Sequence, residues 1–186
     1  MATKITIDQL GSLLAPTFKK MAEEIPGVMQ IVAKDAQALI RGRIQEQGED
    51  FQNNKLPPYS TTEVPAFFYY RKATNQAGRN IIKQRQKEKR GLSYRDFKAA
   101  NNGAASVENT NLTFTGDMWR NFQIIKEGDV GGNYVVSIGG KSKGSDNKIG
   151  WNSERYGDIL RLTKEEEELL DQTFDDELQR IIDEND

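Results

Sequence analysis

Residues 111–140 read NLTFTGDMWRNFQIIKEGDVGGNYVVSIGG. Leu112 and Phe114 alternate with polar neighbours as a short strand does. Thr115 is placed to cap a helix of one to two turns through Asp117, Met118, Trp119 and Phe122, and the early acid suits the positive end of the helix dipole. Beyond it, QIIKEGDVGGNYVVSIG predicts an antiparallel hairpin with Tyr134, Val136 and Ile138 on one face and Gly-Asp-Val-Gly-Gly as a long glycine turn. A two-stranded sheet is marginal in water by itself, so the flanking segments must cover it.

Those flanks are helical in pattern. Ile7, Leu10, Leu14, Phe18, Met21 and Ile25 follow three-and-four spacing, with Gly11 and Pro16 expected to kink the helix and Pro26-Gly27 to end it. A second helix is predicted from Val28, Ile31, Val32, Asp35, Leu39 and Ile44, closed by Gly48 as a C-cap. FQNNKLPPYSTTEVP (51–65) is a loop, because Pro57-Pro58 holds an extended path. Residues 65–108 form a basic insertion, helix-compatible from Ala66 to Arg90, then a short helix opened by Ser93 and Asp96, then the turn NNGAAS. KSKGSDNKIGWNS (141–153) is expected to be an exposed loop anchored by Trp151. The chain closes in a helix with a Thr163-x-x-Glu166 capping box and an apolar stripe of Leu169, Leu170, Phe174, Leu178, Ile181 and Ile182. The expected fold is therefore α+β: long N-terminal helices and a C-terminal helix on a small antiparallel sheet, one domain over 1–186 with a helical middle insertion. Trp119, Phe122, Leu170, Phe174 and Leu178 are its core candidates.

Composition removes most enzymatic chemistry from consideration. The 186 residues include no Cys and no His, which excludes disulfides, thiolate nucleophiles, cysteine-bound zinc and the commonest general base. No apolar run approaches the roughly 18 residues of a membrane span, and MATKITIDQL lacks the apolar core of a signal peptide, so a cytoplasm-like compartment is expected. Hydrophobic residues make up 36% of the chain, against roughly 45 to 50% in globular proteins, so parts of it are expected to order only against a partner.

The net charge of −2 conceals segregation. From Arg71 to Lys98 ten Lys/Arg face two acids, a local charge of +8; from Lys164 to Asp186 two face eleven, a local charge of −9. Arg79, Lys83, Arg85, Lys87, Lys89 and Arg90, with Phe67, Phe68, Tyr69, Tyr70 and Tyr94 nearby, have the aromatic-and-basic make-up of a nucleic-acid surface, and equally of a solvated face or one that meets a partner's acids. GGKS (139–142) follows a strand, but a phosphate-binding loop needs glycine where Val135 stands. Neither EEEE (165–168) nor Asp175-Asp176-Glu177 converges on a cation, because successive helical side chains diverge. No cofactor, metal site or catalytic set is expected.

Taken in order, these pieces resemble the tail-completion or virion-morphogenesis family of tailed bacteriophages, small neck proteins of the head-tail connector. The likeness rests on Phe51 with LPPYS, then Leu112, Thr115, Gly116 and Met118 as an L-x-x-T/S-G-x-L phrase with methionine last, then YVVSIG, then Ile159, Leu160, Leu162, Thr163 and Glu166. The Tyr-Ala-x-x-His-x-x-Gly phrase common after the hairpin is absent. The resemblance implies a structural virion protein without catalytic residues. It would be assembled in the bacterial host cytoplasm into a hexameric or dodecameric ring around the DNA channel, beside portal, adaptor or tail proteins. The alternative is a nucleic-acid-binding accessory protein using residues 71–98.

Overall fold

The computed structural model describes residues 7–113, 116–131 and 133–184, with side chains of the first helix from residue 15 onward. In chain order the elements are α1 (Ile7–Gly42), β1 (Glu63–Pro65), α2 (Gln76–Lys87), β2 (Gly91–Ser93), α3 (Tyr94–Asn102), α4 (Asp117–Arg120), β3 (Phe122–Val130), β4 (Asn133–Gly140), α5 (Lys143–Tyr156) and α6 (Lys164–Asp183). The fold is α+β. Two antiparallel pairs, β1 with β2 and β3 with β4, are its only sheets among the described residues.

The N-terminal region is one helix of 36 residues, not two, and it runs through Pro16 and Pro26. Each proline forfeits one backbone hydrogen bond, but the chain continues because the row after Pro26 is anchored. Val28, Ala36, Ile40 and Ile44, spaced by multiples of four, are buried with Ala33, and Val32 between them is half-buried. Of the expected stripe Val28 and Ile44 are buried and Val32 and Leu39 half-buried, but Ile31 and Asp35 are exposed, and Ala33, Ala36 and Ile40 complete the buried face. The helix widens into a π-type turn over Arg43–Gln47 and stops at Gly48, as expected. Gly48 has φ +67°, and a Cβ there would lie 2.9 Å from that of Asn109, so glycine alone fits.

α1 packs on the β3-β4 hairpin, and α6 packs along α1. Gln37 Nε2 donates to the Phe122 carbonyl and Arg41 Nη2 to that of Trp119 at 2.7 Å, pinning the helix to the start of the sheet. The hairpin register pairs Ile124 with Ile138 and Val130 with Asn133, with a bulge at Ile125. Its turn is thus two residues, tighter than the five-residue turn expected, and Gly131 at φ +61° suits it. Around it lies the main core: Ile40, Ile44, Leu56, Met118, Trp119, Phe122, Ile149 and Ile159. Trp119 meets Phe122 edge-on at 5.6 Å.

Three further expectations change. Leu112 does not belong to a strand and sits at φ +49°, while Phe114 and the proposed cap Thr115 lie outside the described residues. KSKGSDNKIGWNS is largely the helix α5, opened by reciprocal Ser142 and Ser145 capping bonds and held by buried Ile149. Trp151 anchors nothing: it is 64% exposed. On α6 the Thr163 and Glu166 capping box is present, with Leu170 and Ile181 buried, Phe174 and Leu178 half-buried, and Leu169 exposed.

Candidate interaction surfaces

A second apolar cluster, Ala66, Tyr69, Ile82, Leu92 and Phe97, lies wholly within the 65–108 segment. The run AFFYYRK forms a 3₁₀ helix over Ala66–Lys72, and its period of three turns Ala66 and Tyr69 inward. Tyr69 stacks on Phe97 at 4.7 Å. Phe67, Phe68 and Tyr70 are left outward, 58%, 60% and 56% exposed, with the two phenylalanines stacked at 4.5 Å. Exposed Arg71 and Lys72 follow directly. Three large apolar rings in water on one short helix form a patch of the kind that marks an interaction site.

Asn75 caps α2 by accepting from the Gly78 N–H at 2.9 Å, and a Cβ on Gly78 would strike Asn101, so α2 lies close on α3. Ser93 caps α3 as predicted, accepting from the Asp96 N–H at 3.1 Å. The six predicted cations do not form one surface. Arg79, Lys83 and Lys87 fall at four-residue steps along the exposed side of α2, Arg85 is half-buried on another side, and Lys89 and Arg90 lie past the helix end. Arg90 is 4.0 Å from Glu88; the other five make no ion pair among the described residues.

Lys98, counted in the basic run, is not on this surface. It is 1% exposed, and its Nζ donates to the Tyr59 hydroxyl at 2.5 Å and to Asn111 Oδ1 at 2.8 Å, 3.9 Å from the Tyr59 ring centre. Tyr59 OH in turn donates to Asn111 Oδ1 at 3.0 Å and accepts from the Asn111 N–H. This network ties α3 to the loops on either side of the 65–108 segment. Burial draws the Lys98 amine down to about 8 and pushes the Tyr59 phenol up.

Beside it a cavity of about 430 Å³ is walled by Tyr59, Tyr94, Trp119, Lys148, Arg155 and Tyr156 among others. Leu112, Gly116 and Met118, three of the four residues of the family-like phrase, line it; the fourth, Thr115, lies outside the described residues. Lys98 does not line it, so the buried amine is not presented there. The Trp119 indole N–H has no acceptor among the described residues.

The second surface lies between α1 and α6. Arg43 and Glu166, 4% and 6% exposed, pair at 2.9 Å; Arg43 also donates to the Arg161 carbonyl at 2.7 Å, while Glu166 accepts from the Thr163 N–H. With these charges cancelled, the groove above is acidic. Two adjoining clefts of about 560 and 340 Å³ share a floor of Ala38, Leu39 and Leu169, and Asp35, Glu46, Glu165 and Asp176 stand along them. The Glu165 carboxyl is held below its usual range by hydrogen bonding to its own backbone N–H at the helix start, to Thr163 and to Asn53.

No group of three or more acidic, His or Cys side chains among the described residues is arranged to hold a metal ion, and no described helix is long and apolar enough to cross a membrane. The groove is not foreseeable from spacing, whereas the aromatic and basic make-up of the 65–108 segment was legible, though not which of its rings turn outward: Phe67, Phe68 and Tyr70 do, and Tyr69 does not. Comparison with protein-family models, with curated proteins and with solved structures found no match.

Proposed function

We propose that this chain is a structural protein of a tailed bacteriophage virion, one copy of a hexameric or dodecameric ring in the neck that completes the tail and joins it to the head around the DNA channel, and that it carries no catalytic activity. The observation that carries this reading is a pair of surfaces of opposite charge: an aromatic and basic one on the 65–108 segment, and an apolar-floored acidic one between α1 and α6. A ring subunit needs two such complementary faces, because a contact that closes by rotation joins different surfaces of neighbouring copies. The family-like phrase adds support, since Leu112, Gly116 and Met118 gather on one cavity wall.

Exposed Lys83, Lys87 and Lys89 are expected to face the DNA channel or an acidic neighbour in the neck, because that many cations are costly to bury unpaired. Replacing all three with Glu is expected to leave the isolated fold intact and to abolish DNA-filled particles. Normal yields of infectious particles from that variant would remove the role.

One observation favours a second reading, a nucleic-acid-binding accessory protein: the stacked, exposed Phe67 and Phe68 beside Arg71 and Lys72 have the make-up of a base-stacking platform. Salt separates the two. Binding through several phosphate contacts falls by orders of magnitude between 50 and 200 mM salt, whereas assembly held mainly by aromatic rings on an apolar floor, with a few ion pairs at its rim, changes less.

A further inference from the structure

The chain carries an exposed aromatic knob followed directly by two cations and, elsewhere, an apolar-floored groove lined by acids. Phe67, Phe68 and Tyr70 each leave about three-fifths of their surface in water. At roughly 150–250 Å² per ring that is roughly 350 Å² of unburied aromatic surface, a little under half of the ~800 Å² each partner contributes to a standard interface. The groove offers the counterpart: Leu169 is 49% exposed on a floor with Ala38 and Leu39, and Arg43, the one cation lining the two clefts, is already paired with Glu166. The charges are opposite in sign, with Arg71 and Lys72 directly after the knob and Asp35, Glu46, Glu165 and Asp176 along the groove.

We propose that the Phe67 and Phe68 knob of one copy docks into the α1-α6 groove of a second copy, Arg71 and Lys72 meeting the groove's carboxylates. The occupant of the groove is this chain rather than a nucleic acid because the groove's carboxylates repel phosphate, while its apolar floor and negative charge suit the knob's rings and the cations beside them. This inference rests on the ring reading and names the contact that builds the ring. Each copy then uses its knob on one neighbour and its groove on the other.

The absence of cysteine gives a clean test. One population carries Phe68→Cys and the other Leu169→Cys, both at exposed positions, with circular dichroism to verify the fold. Mild oxidation of the mixture is expected to give a disulfide-linked heterodimer in high yield, lost when the first population also carries Phe67→Asp. Phe68→Cys mixed with Lys19→Cys, on an exposed part of α1, is expected to give none. Equal cross-linking to both positions, or none to Leu169→Cys, overturns the docking. A wild-type ring without the cross-link overturns the docking and leaves the ring reading standing. A wild-type chain that stops at a dimer, with the two cysteine variants still cross-linking, supports the docking and overturns the ring. Binding of single-stranded DNA that Phe67→Ala/Phe68→Ala abolishes, with no cross-link, assigns the knob to nucleic acid instead.

Discussion

Arg43→Met is expected to be among the most destabilising single changes in the chain. The guanidinium is 4% exposed and makes three contacts at once: to Glu166 at 2.9 Å, to the Arg161 carbonyl at 2.7 Å and to the Glu49 carbonyl at 3.4 Å. Methionine fills much of the volume but leaves the Glu166 carboxylate buried with only its capping bond to the Thr163 N–H. Removing one member of a buried pair costs about 3 to 5 kcal/mol, most of it the uncompensated charge. For a chain of this length that is a fall in Tm of about 10 °C. Glu166→Gln keeps the capping acceptor and strands Arg43 instead, so it too destabilises. The double variant Arg43→Met/Glu166→Gln removes both charges while keeping the cap, and is expected to recover to within about 1 to 2 kcal/mol of wild type. Urea unfolding at pH 7, followed by far-ultraviolet circular dichroism and by the fluorescence of buried Trp119, measures all four proteins. An Arg43→Met protein within 1 kcal/mol of wild type, or a double variant as unstable as the sum of the singles, would refute the reasoning.

Lys98 gives a pH dependence. Its folded value of about 8 lies below the ordinary 10.5, so between pH 8 and 10 the unfolded chain binds more protons and stability rises with pH, by about 2 kcal/mol from 8.5 to 10. Lys98→Met is expected to lose that slope, and denaturant midpoints across the range measure it; above pH 10 the raised Tyr59 phenol reverses the trend. Gly48→Ala combines a left-handed backbone with a Cβ 2.9 Å from that of Asn109, and is expected to cost about 1 to 3 kcal/mol; a neutral result would contradict the cap. Phe174→Ala is expected to cost less than the roughly 3 to 5 kcal/mol of a fully buried phenylalanine, because Phe174 is only half-buried on α6. A cost at the top of that range would mean a neighbour covers it in solution.

Signals confined to a few adjacent residues were legible in the sequence. The Thr163 and Glu166 capping box, the Ser93 cap and the Gly48 stop are each a side chain or a backbone angle acting within one turn, and the alternation in YVVSIG is likewise local. What failed depended on distant partners. Pattern alone gives α5 almost no reason to exist: Gly144 and Gly150 lower its propensity and only Ser145 and Ile149 are buried, yet docking of Ile149 on the main core holds it. α1 ignores Pro26 because the row Val28, Ala36, Ile40 and Ile44 is buried against elements that lie far along the chain, some of them more than a hundred residues away. Lys98 looked like one more surface cation because Tyr59 and Asn111, which bury it, lie 39 and 13 residues off. The α1-α6 groove is an absence of cover, which no local pattern encodes.

Electron microscopy of the purified chain at physiological salt tests the central claim most directly. The account predicts closed rings of six or twelve copies with an open centre, dispersed into monomers by Phe67→Asp combined with Leu169→Asp. A wild-type protein that remains monomeric at every concentration imaged would contradict it, and rings that those two substitutions leave intact would overturn the knob-and-groove contact alone.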